Sequence, residues 1–239
     1  MAVGASNVTI QWSILAENSA SGTSLIRYNN VTGVTLHHNL YANNVSTRNG
    51  GVFSGDLDFV NNVIYRNFTS VVSRFENLTM VAPDGPVEAT NTNIPTRANY
   101  VGNYYKAGPS EITGPNAYEI FLRGDYSGYA LASVYFSGNI SPRRPNNTLP
   151  ESQLAVETVS NLVPIVLTRN NFPAVTTTSA AQALTDVLAG AGAILPCRDA
   201  ADRRITDYVK NGTGGIAYPG AGANPSLVGG WPDLTAPCP

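Results

Sequence analysis

Charged residues are scarce in this sequence and nearly balanced in sign. Asp, Glu, Lys and Arg make up 13% of the 239 residues, and the formal net charge is −2 at pH 7. Nucleic-acid binding requires clustered Lys and Arg, so this balance predicts no nucleic-acid partner. An acidic polymer would have to be held by individual arginines or by a bridging cation.

Long apolar runs are also missing. No run reaches the roughly 18 residues that a membrane-spanning helix needs, so no membrane partner is predicted. The N-terminal residues MAVGASNVTIQWS do not join a charged segment to a following apolar one, so they are not a signal peptide. The chain itself therefore does not support secretion, although a signal removed earlier would leave no mark.

Cysteine is limited to Cys197 and Cys238, both in the C-terminal region. A disulfide between them would fasten the end of the chain to its body and would suit an extracellular protein. Two unpaired thiols are the alternative, and the sequence does not decide between the two.

Turn-forming residues, in contrast, are abundant, with 22 glycines and 16 prolines. Together with many Asn and Thr residues they predict a β-rich chain, and the length favours one domain over residues 1–239. We read the eight N-x-S/T sequons mainly as a result of this composition. They begin at Asn7, Asn30, Asn44, Asn67, Asn77, Asn139, Asn146 and Asn211.

Five segments repeat one pattern, in which two short β-rich runs flank a polar residue. They are VTIQWSILAEN, VTLHHNLYANN, LDFVNNVIYRN, ANYVGNYYKAG and VYFSGNISPRR. The polar residues are Ser13, Asn39, Asn62, Asn103 and Asn139, separated by 26, 23, 41 and 36 residues. The shorter steps fit one coil of a wound β-structure, and the longer ones leave room for inserted loops.

The four asparagines predict a ladder of stacked amides, because Asn tolerates the left-handed conformation and bonds neighbouring backbone groups. The fold class is therefore predicted to be an all-β parallel β-helix, in which each coil buries its face against the next. Apolar residues such as Leu36, Leu40 and Val63 are expected to point inward or to stack. An antiparallel sandwich with coincidental Asn turns is the alternative.

The C-terminal region shows helical spacing instead of strand alternation. A first helix is predicted from a cap at Thr178 or Ser179 to a stop at Gly190, and a second over residues 199–210, ended by Gly212. Residues 7–160 are thus expected to form the coils, and residues 161–239 a tail whose two short helices pack on them.

Four stretches carry a resemblance to a known family: NVTIQWSILAEN, VTLHHNLYANN with STRNGG, DFVNNVIYRN, and LAGAGAILPCRDAADRRITDYVKNGTGG. In this order they resemble the bacterial and oomycete branch of the pectate lyases, polysaccharide lyase family 1. The resemblance implies a right-handed β-helix, an extracellular location, and calcium-dependent cleavage of polygalacturonate (pectate) by β-elimination.

Family members carry a long stretch before the first of these motifs, and this chain has six residues there. We expect either a natural short form or a truncated fragment, lacking the N-terminal part of the family domain. An uncapped coil exposes open strand edges that can pair with another chain. The sequence therefore predicts a homo-oligomer, with the first coil as one contact surface.

Arg48 aligns with the family's catalytic arginine, which the resemblance implies to be the base. The surroundings depart from the family pattern. Gly50 replaces a usual proline, Phe53 a second arginine, and Gly33 a substrate-binding lysine. The glycine-rich segment after Arg48 would be more mobile than one held by proline, so these changes put the activity in doubt and leave the fold unaffected.

Glu17 aligns with a carboxylate that helps to bind calcium in the family, and carboxylate oxygens suit this cation. A second family carboxylate is replaced here by Ser19, which weakens the predicted site. The alternative for Glu17 is a surface residue at a turn.

The adjacent His37 and His38 are expected to point to opposite faces of a strand, one into the core and one beside the groove. They should therefore not form a metal site, and His38 is a candidate for substrate contact. Further candidates for substrate binding are Arg27, Arg66 and Lys106.

Two other functions compete with an active lyase. One is a non-catalytic β-helix that binds polysaccharide or only assembles, which the missing family residues favour. The other is a hydrolase, which needs paired carboxylates, and Asp56 and Asp58 are the only pair that the matched strands offer.

Overall fold

The computed structural model describes residues 5–18, 24–26, 32–44, 49–52, 55–66, 71–76, 96–109, 118–123, 132–157 and 165–215. Within these ranges the chain is mostly β, with fourteen strands in three sheets. Every pairing between the described strands is parallel. The antiparallel sandwich considered from the sequence is therefore excluded.

The sheets take their strands in turn from successive parts of the chain. Sheet 1 contains β1 (Ser6–Gln11), β4 (Thr32–His37), β7 (Asp56–Val60), β10 (Thr96–Val101) and β13 (Ala132–Ser137). Sheet 2 contains β2 (Ile14–Ala16), β5 (Leu40–Ala42), β8 (Val63–Arg66) and β11 (Tyr104–Ala107). Sheet 3 contains β3 (Ser24–Ile26), β6 (Asn49–Val52), β9 (Val71–Glu76), β12 (Tyr118–Arg123) and β14 (Ala155–Glu157).

This order makes the fold β-helix-like, because each of the first four coils contributes one strand to sheet 1, then one to sheet 2, then one to sheet 3. The fifth coil contributes β13 to sheet 1 and β14 to sheet 3. The right-handed sense of winding stays a prediction of the resemblance.

A two-residue turn follows the strand of sheet 1 in each of the five coils, and in the first four it leads into sheet 2. Its first residue is left-handed, with φ between 49° and 67° at Trp12, His38, Asn61, Gly102 and Gly138. Its second residue is Ser13 in the first coil and asparagine in the other four. The turn thus repeats the same backbone geometry with four different residue pairs, since Gly-Asn occurs twice.

The asparagines of these turns form a buried ladder. The Oδ1 of each one accepts the backbone N–H of the residue one coil earlier, at 2.9–3.0 Å for Ser13, Asn39, Asn62 and Asn103. Each Nδ2 donates to a carbonyl of the preceding coil, as from Asn62 to Leu36 at 2.8 Å. The ladder therefore satisfies polar groups that would otherwise be buried without partners.

The ladder ends on an ion pair. Asn139 donates from Nδ2 to the carboxylate of Glu151, at 3.2 Å, in the place where a further amide would stand. Arg144, 3% exposed, pairs with this carboxylate and donates to the carbonyl of Leu149. The short 3₁₀ helix Glu151–Leu154 then closes this end of the stack.

Two apolar cores result. The first lies between the three sheets and contains a row of aromatic rings, Tyr41, Phe59, Tyr100 and Phe136, with centroids 5.6–5.7 Å apart. The second lies on the outer side of sheet 2, where Leu40 and Val63 stack under the C-terminal helices. Successive side chains of a strand point to opposite faces of the sheet, so the strands of sheet 2 contribute to both cores.

The two predicted helices are present, as α1 (Ala180–Gly190) and α2 (Ala200–Asn211). Ser179 caps α1, and Asp199 caps α2 by accepting the N–H of Asp202 at 2.8 Å. Gly212 ends α2 with φ 65°, a left-handed conformation that glycine adopts without steric cost. Neither helix is long and apolar enough to cross a membrane.

Candidate active site

Two strands of sheet 3 adjoin, in sequence, arginines that the sequence analysis assigns to catalysis or substrate binding. Arg48 lies outside the described residues, directly before β6, and Arg27 lies outside them, directly after β3. Arg66 ends β8 in sheet 2, and its side chain is likewise outside the description. The structure therefore defines the strands beside these arginines but not their side chains.

The start of β6 is held firmly from two sides. Asn44 donates from Nδ2 to Oδ1 of Asn49, at 3.2 Å, and the Ser73 hydroxyl donates to the carbonyl of Asn49. The Tyr100 hydroxyl donates to the carbonyl of Gly50, at 3.1 Å, from inside the coil. These bonds fix the backbone that immediately follows Arg48.

Gly50 is required by geometry. Its φ is 66°, and a methyl group there would overlap the ring of Phe59. Only glycine adopts this conformation without a steric cost and also leaves room for the ring. The glycine that replaces the family's proline is thus part of the packed core at this strand.

Glu17 forms an ion pair with Arg204 instead of standing free at a turn. Both carboxylate oxygens accept from the guanidinium, and the Nη2–Oε2 distance is 2.8 Å. The Glu17 side chain is 11% exposed, and its hydrogen bonds raise the pKa of Arg204. The pair fastens α2 to the first coil.

These contacts do not fit a calcium ion at Glu17. A calcium site needs six to eight oxygen ligands, and both oxygens of this carboxylate are already engaged by a cation. Across the described part of the chain, no group of three His, Cys, Asp or Glu side chains is placed to hold a metal. We therefore derive no reaction step through calcium from these residues.

Replacing Glu17 by glutamine should lower the free energy of unfolding by about 1–2 kcal/mol, because a partly buried charged hydrogen bond is lost. Calcium should shift the unfolding midpoint of the variant and of the wild type equally. Asp207→Asn, which affects only an exposed pair with Lys210, is the matched control. A calcium-dependent rise in the midpoint that Glu17→Gln removes would show that Glu17 is a ligand after all.

Lys106 lies at the end of sheet 2, where it contacts α2. Its ammonium group donates to the carbonyl oxygens of Val209 and Lys210. These carbonyls belong to the last turn of the helix, where backbone acceptors have no partner within the helix and cations are favoured. The structure thus gives Lys106 a helix-capping contact, and its substrate-binding role stays a prediction.

The expectation that His37 and His38 point to opposite faces is wrong. Their Nδ1 atoms are 2.9 Å apart, and the His38 ring stacks on Trp12 with a centroid distance of 4.6 Å. Strand alternation ends at His37, because His38 has the left-handed conformation of the turn, with φ 53°. Both rings therefore lie together on the outside of the turn between sheets 1 and 2.

Burial lowers the pKa of both histidines. Asp58 opposes this shift at His37; at His38 the neighbouring His37 adds to it and Asp186 opposes it. Because the Nδ1 atoms share one hydrogen bond, one ring must donate and the other accept. This hydrogen bond therefore cannot form when both rings are protonated.

The unfolding free energy should decrease as the pH falls below about 6.5, since the unfolded chain then binds more protons at these histidines than the folded chain. The variant His38→Asn suits the left-handed turn, as Asn61 does one coil later. It should reduce the slope of stability against pH between about pH 5.5 and 7. Urea titrations across this range would measure the slope, and an unchanged slope would contradict the assignment.

The carboxylates considered for a hydrolase belong to sheet 1 and have arginine partners. Asp56 accepts two bonds from Arg97, at 2.8 and 2.9 Å. Asp58 is fully buried and accepts from Asn99 at 2.9 Å and from Arg169 at 2.8 Å. These contacts do not leave a free acid and base facing a groove, so they do not support a hydrolase.

A segment that the sequence did not single out crosses the outer face of sheet 1. Arg169 reaches Asp58, and Asn170 exchanges hydrogen bonds with Asn99 through its backbone N–H and carbonyl, at 2.9 and 3.1 Å. Thr178 then donates to Asn61, just before α1 begins. Further along the tail, Cys197 is disulfide-bonded, while Cys238, the only other cysteine in the sequence, lies outside the described residues.

These observations define a β-helix-like protein with an internal amide ladder, two of whose outer faces are in contact with the C-terminal region. Curated proteins similar to it share one description. The probable pectate lyase C of Neosartorya fischeri is 32% identical over 212 residues, which cover 87% of this chain and 44% of that protein. That of Aspergillus fumigatus strain CBS 144.89 is 32% identical over 237 residues, covering 95% and 50%.

A third relative, the probable pectate lyase C of Aspergillus flavus, is 30% identical over 209 residues, covering 86% of this chain and 43% of its own length. No family model and no solved structure matches the chain significantly. The chain spans about half the length of the curated relatives it matches. The similarity over most of this chain supports a pectate-lyase-like protein.

Proposed function

We propose that the chain is a polysaccharide lyase that cleaves polygalacturonate by β-elimination, with Arg48 as the base. The observation that supports it is the similarity to probable pectate lyases over most of the chain. The anchored β6 strand adds a physical reason, because it starts with the residue next to Arg48 and its backbone is fixed by the core.

The reaction removes the proton on C5 of a galacturonate residue. The C4–O4 bond breaks, a C4–C5 double bond forms, and O4 leaves with a proton. An arginine is ordinarily protonated and cannot accept this proton. Arg48 therefore acts as the base only where other cationic groups near the bound sugar lower its pKa.

Calcium enters this proposal as a cofactor implied by the resemblance. Carboxylate oxygens would be its ligands, and the Glu17–Arg204 pair does not provide them. Arg27, Arg66, His38 and Lys106 are kept as proposed substrate contacts. Of these, His38 is 7% exposed and Lys106 contacts α2, so we favour the two arginines.

A non-catalytic module that binds polysaccharide is the second candidate. The ion pair between Glu17 and Arg204 favours it, since it engages the carboxylate that the resemblance assigns to calcium. Such a module would bind polygalacturonate without releasing unsaturated products.

Incubation of the purified chain with polygalacturonate, with calcium or with a chelator, separates the two candidates. Absorbance from unsaturated product ends is expected with calcium and should be lost with the chelator. Binding without any such absorbance would replace the lyase by the binding module. Activity that persists with the chelator would remove calcium from the proposal but keep the lyase.

We also propose an extracellular location and a homo-oligomer that joins through the first coil. Among the strands that the structure describes, β1, β2 and β3 are the outermost ones at this end of the three sheets. Val8, Ile10 and Leu15 are partly buried there, whereas Val34 and Leu36 one coil later are 1% exposed. A monomer in light scattering at micromolar concentration would contradict the oligomer.

A further inference from the structure

The asparagines of the N-x-S/T sequons differ widely in their exposure to solvent. Five of their asparagines lie in the described residues: Asn7, Asn44, Asn139, Asn146 and Asn211. Asn44 is 5% exposed and Asn139 is 0% exposed, while Asn7, Asn146 and Asn211 are exposed. N-glycosylation replaces one hydrogen of the side-chain amide by a bulky sugar, so burial distinguishes between these sites.

The two buried sequons cannot carry a glycan in this fold. Asn139 donates from Nδ2 to the carbonyl of Tyr100, at 2.7 Å, and to Glu151, at 3.2 Å. Asn44 donates from Nδ2 to the carbonyl of Leu15, at 2.8 Å, and to Asn49. Both amide hydrogens of each residue are therefore engaged inside the stack.

Asn146 has the opposite arrangement. Its Oδ1 accepts the backbone N–H of Thr148, at 3.0 Å, and also the Thr148 hydroxyl. The two residues form an Asx turn. Its hydrogen bonds use Oδ1 of Asn146 and do not involve Nδ2. This turn needs only residues 146–148, so it can form before the coils are assembled.

The position of Asn146 also suits a large substituent. It lies in the segment between Arg144 and Glu151, whose ion pair ends the amide ladder. Arg144 holds this segment from inside by donating to Leu149, at 2.9 Å, while Asn146, Asn147 and Thr148 are exposed. A glycan at this position would project into solvent beyond the closed end of the stack.

We propose that Asn146 is an N-glycosylation site and that Asn44 and Asn139 are not modified. The donor is an oligosaccharide linked to a lipid by pyrophosphate. The Nδ2 atom of Asn146 forms a bond to C1 of the first sugar, the bond from C1 to the phosphate oxygen breaks, the lipid pyrophosphate leaves with the electron pair, and Nδ2 loses one proton. This inference rests on the proposed extracellular location and is independent of catalysis.

The test directs the full chain through the secretory pathway of a eukaryotic host. Peptide N-glycosidase treatment in heavy-oxygen water then marks each formerly glycosylated asparagine as a labelled aspartate. Label at Asn146, with none at Asn44 or Asn139, is the expected result. No label at Asn146, or label at Asn139 in folded secreted protein, would overturn the proposal.

Two variants sharpen this result. Thr148→Val removes the hydroxyl but keeps the side-chain shape, so it should abolish the label at Asn146. Asn146→Gln should increase the electrophoretic mobility by one glycan and leave the urea midpoint of the deglycosylated protein unchanged, because the side chain is exposed. An unchanged mobility of Asn146→Gln would overturn the proposal. Absence of lyase activity in the wild-type protein would contradict only the proposed function.

Discussion

Arg48→Ala is expected to reduce the release of unsaturated products from polygalacturonate by about 100-fold to 10,000-fold, the usual contribution of a positioned base. Binding of the polymer should decrease much less, because the other proposed substrate contacts, Arg27 and Arg66, are unchanged in this variant. The measurements are initial rates of absorbance and, separately, polymer affinity. The separation matters because a binding residue would change KM, whereas a base changes kcat.

Arg48→Lys and Lys210→Ala complete this experiment. The lysine keeps the positive charge but not the guanidinium, so it should also be inactive while binding the polymer normally. Lys210 lies on α2, where its exposed ion pair with Asp207 should contribute little to stability. Loss of activity in Lys210→Ala, or retained activity in Arg48→Ala, would contradict the catalytic assignment.

The part of this fold that could be predicted is the part that repeats locally. Asn39, Asn62 and Asn103 recur between two short β-rich runs. The backbone N–H of each donates to the side-chain oxygen of the asparagine one coil later. The helix caps were predictable for a similar reason, since Ser179 and Gly212 act on neighbouring residues. Spacing predicts such features because their partners lie close in sequence or at a regular interval.

The contacts that could not be predicted join distant segments. Glu17 and Arg204 are 187 residues apart, and Asp58 and Arg169 are 111 residues apart. No periodic pattern connects them, because each depends on how the C-terminal region lies over the coils. A carboxylate that looks free in a motif can therefore be neutralised by a segment that the motif does not include.

The histidine pair shows a different limit. Alternation correctly describes a strand as long as the strand continues, but the turn after His37 places His38 in the left-handed region. Asn61, Gly102 and Gly138 occupy the same position in later coils, and both Asn and Gly tolerate the left-handed conformation. The recurrence of Asn and Gly at this position therefore indicates the turn at His38.

Asn62→Ala is expected to lower the free energy of unfolding by about 3–5 kcal/mol. The amide of Asn62 accepts the backbone N–H of Asn39, at 2.9 Å, and donates to the carbonyl of Leu36, at 2.8 Å. Both partners are buried in the stack, and a buried polar group without a partner costs about 1–3 kcal/mol. The cavity left by the amide adds to this cost.

Asn62→Asp tests whether the hydrogen bonds or the shape of Asn62 matter. It keeps the acceptor toward Asn39 but places a carboxylate oxygen against the Leu36 carbonyl, so at neutral pH it should also be strongly destabilised. Asn146→Ala, at an exposed turn, is the control and should change stability by less than about 1 kcal/mol. Urea unfolding followed by circular dichroism measures all three variants. If Asn62→Asp were as stable as the wild type, the ladder would act by filling space, and its hydrogen bonds would not be what holds successive coils together.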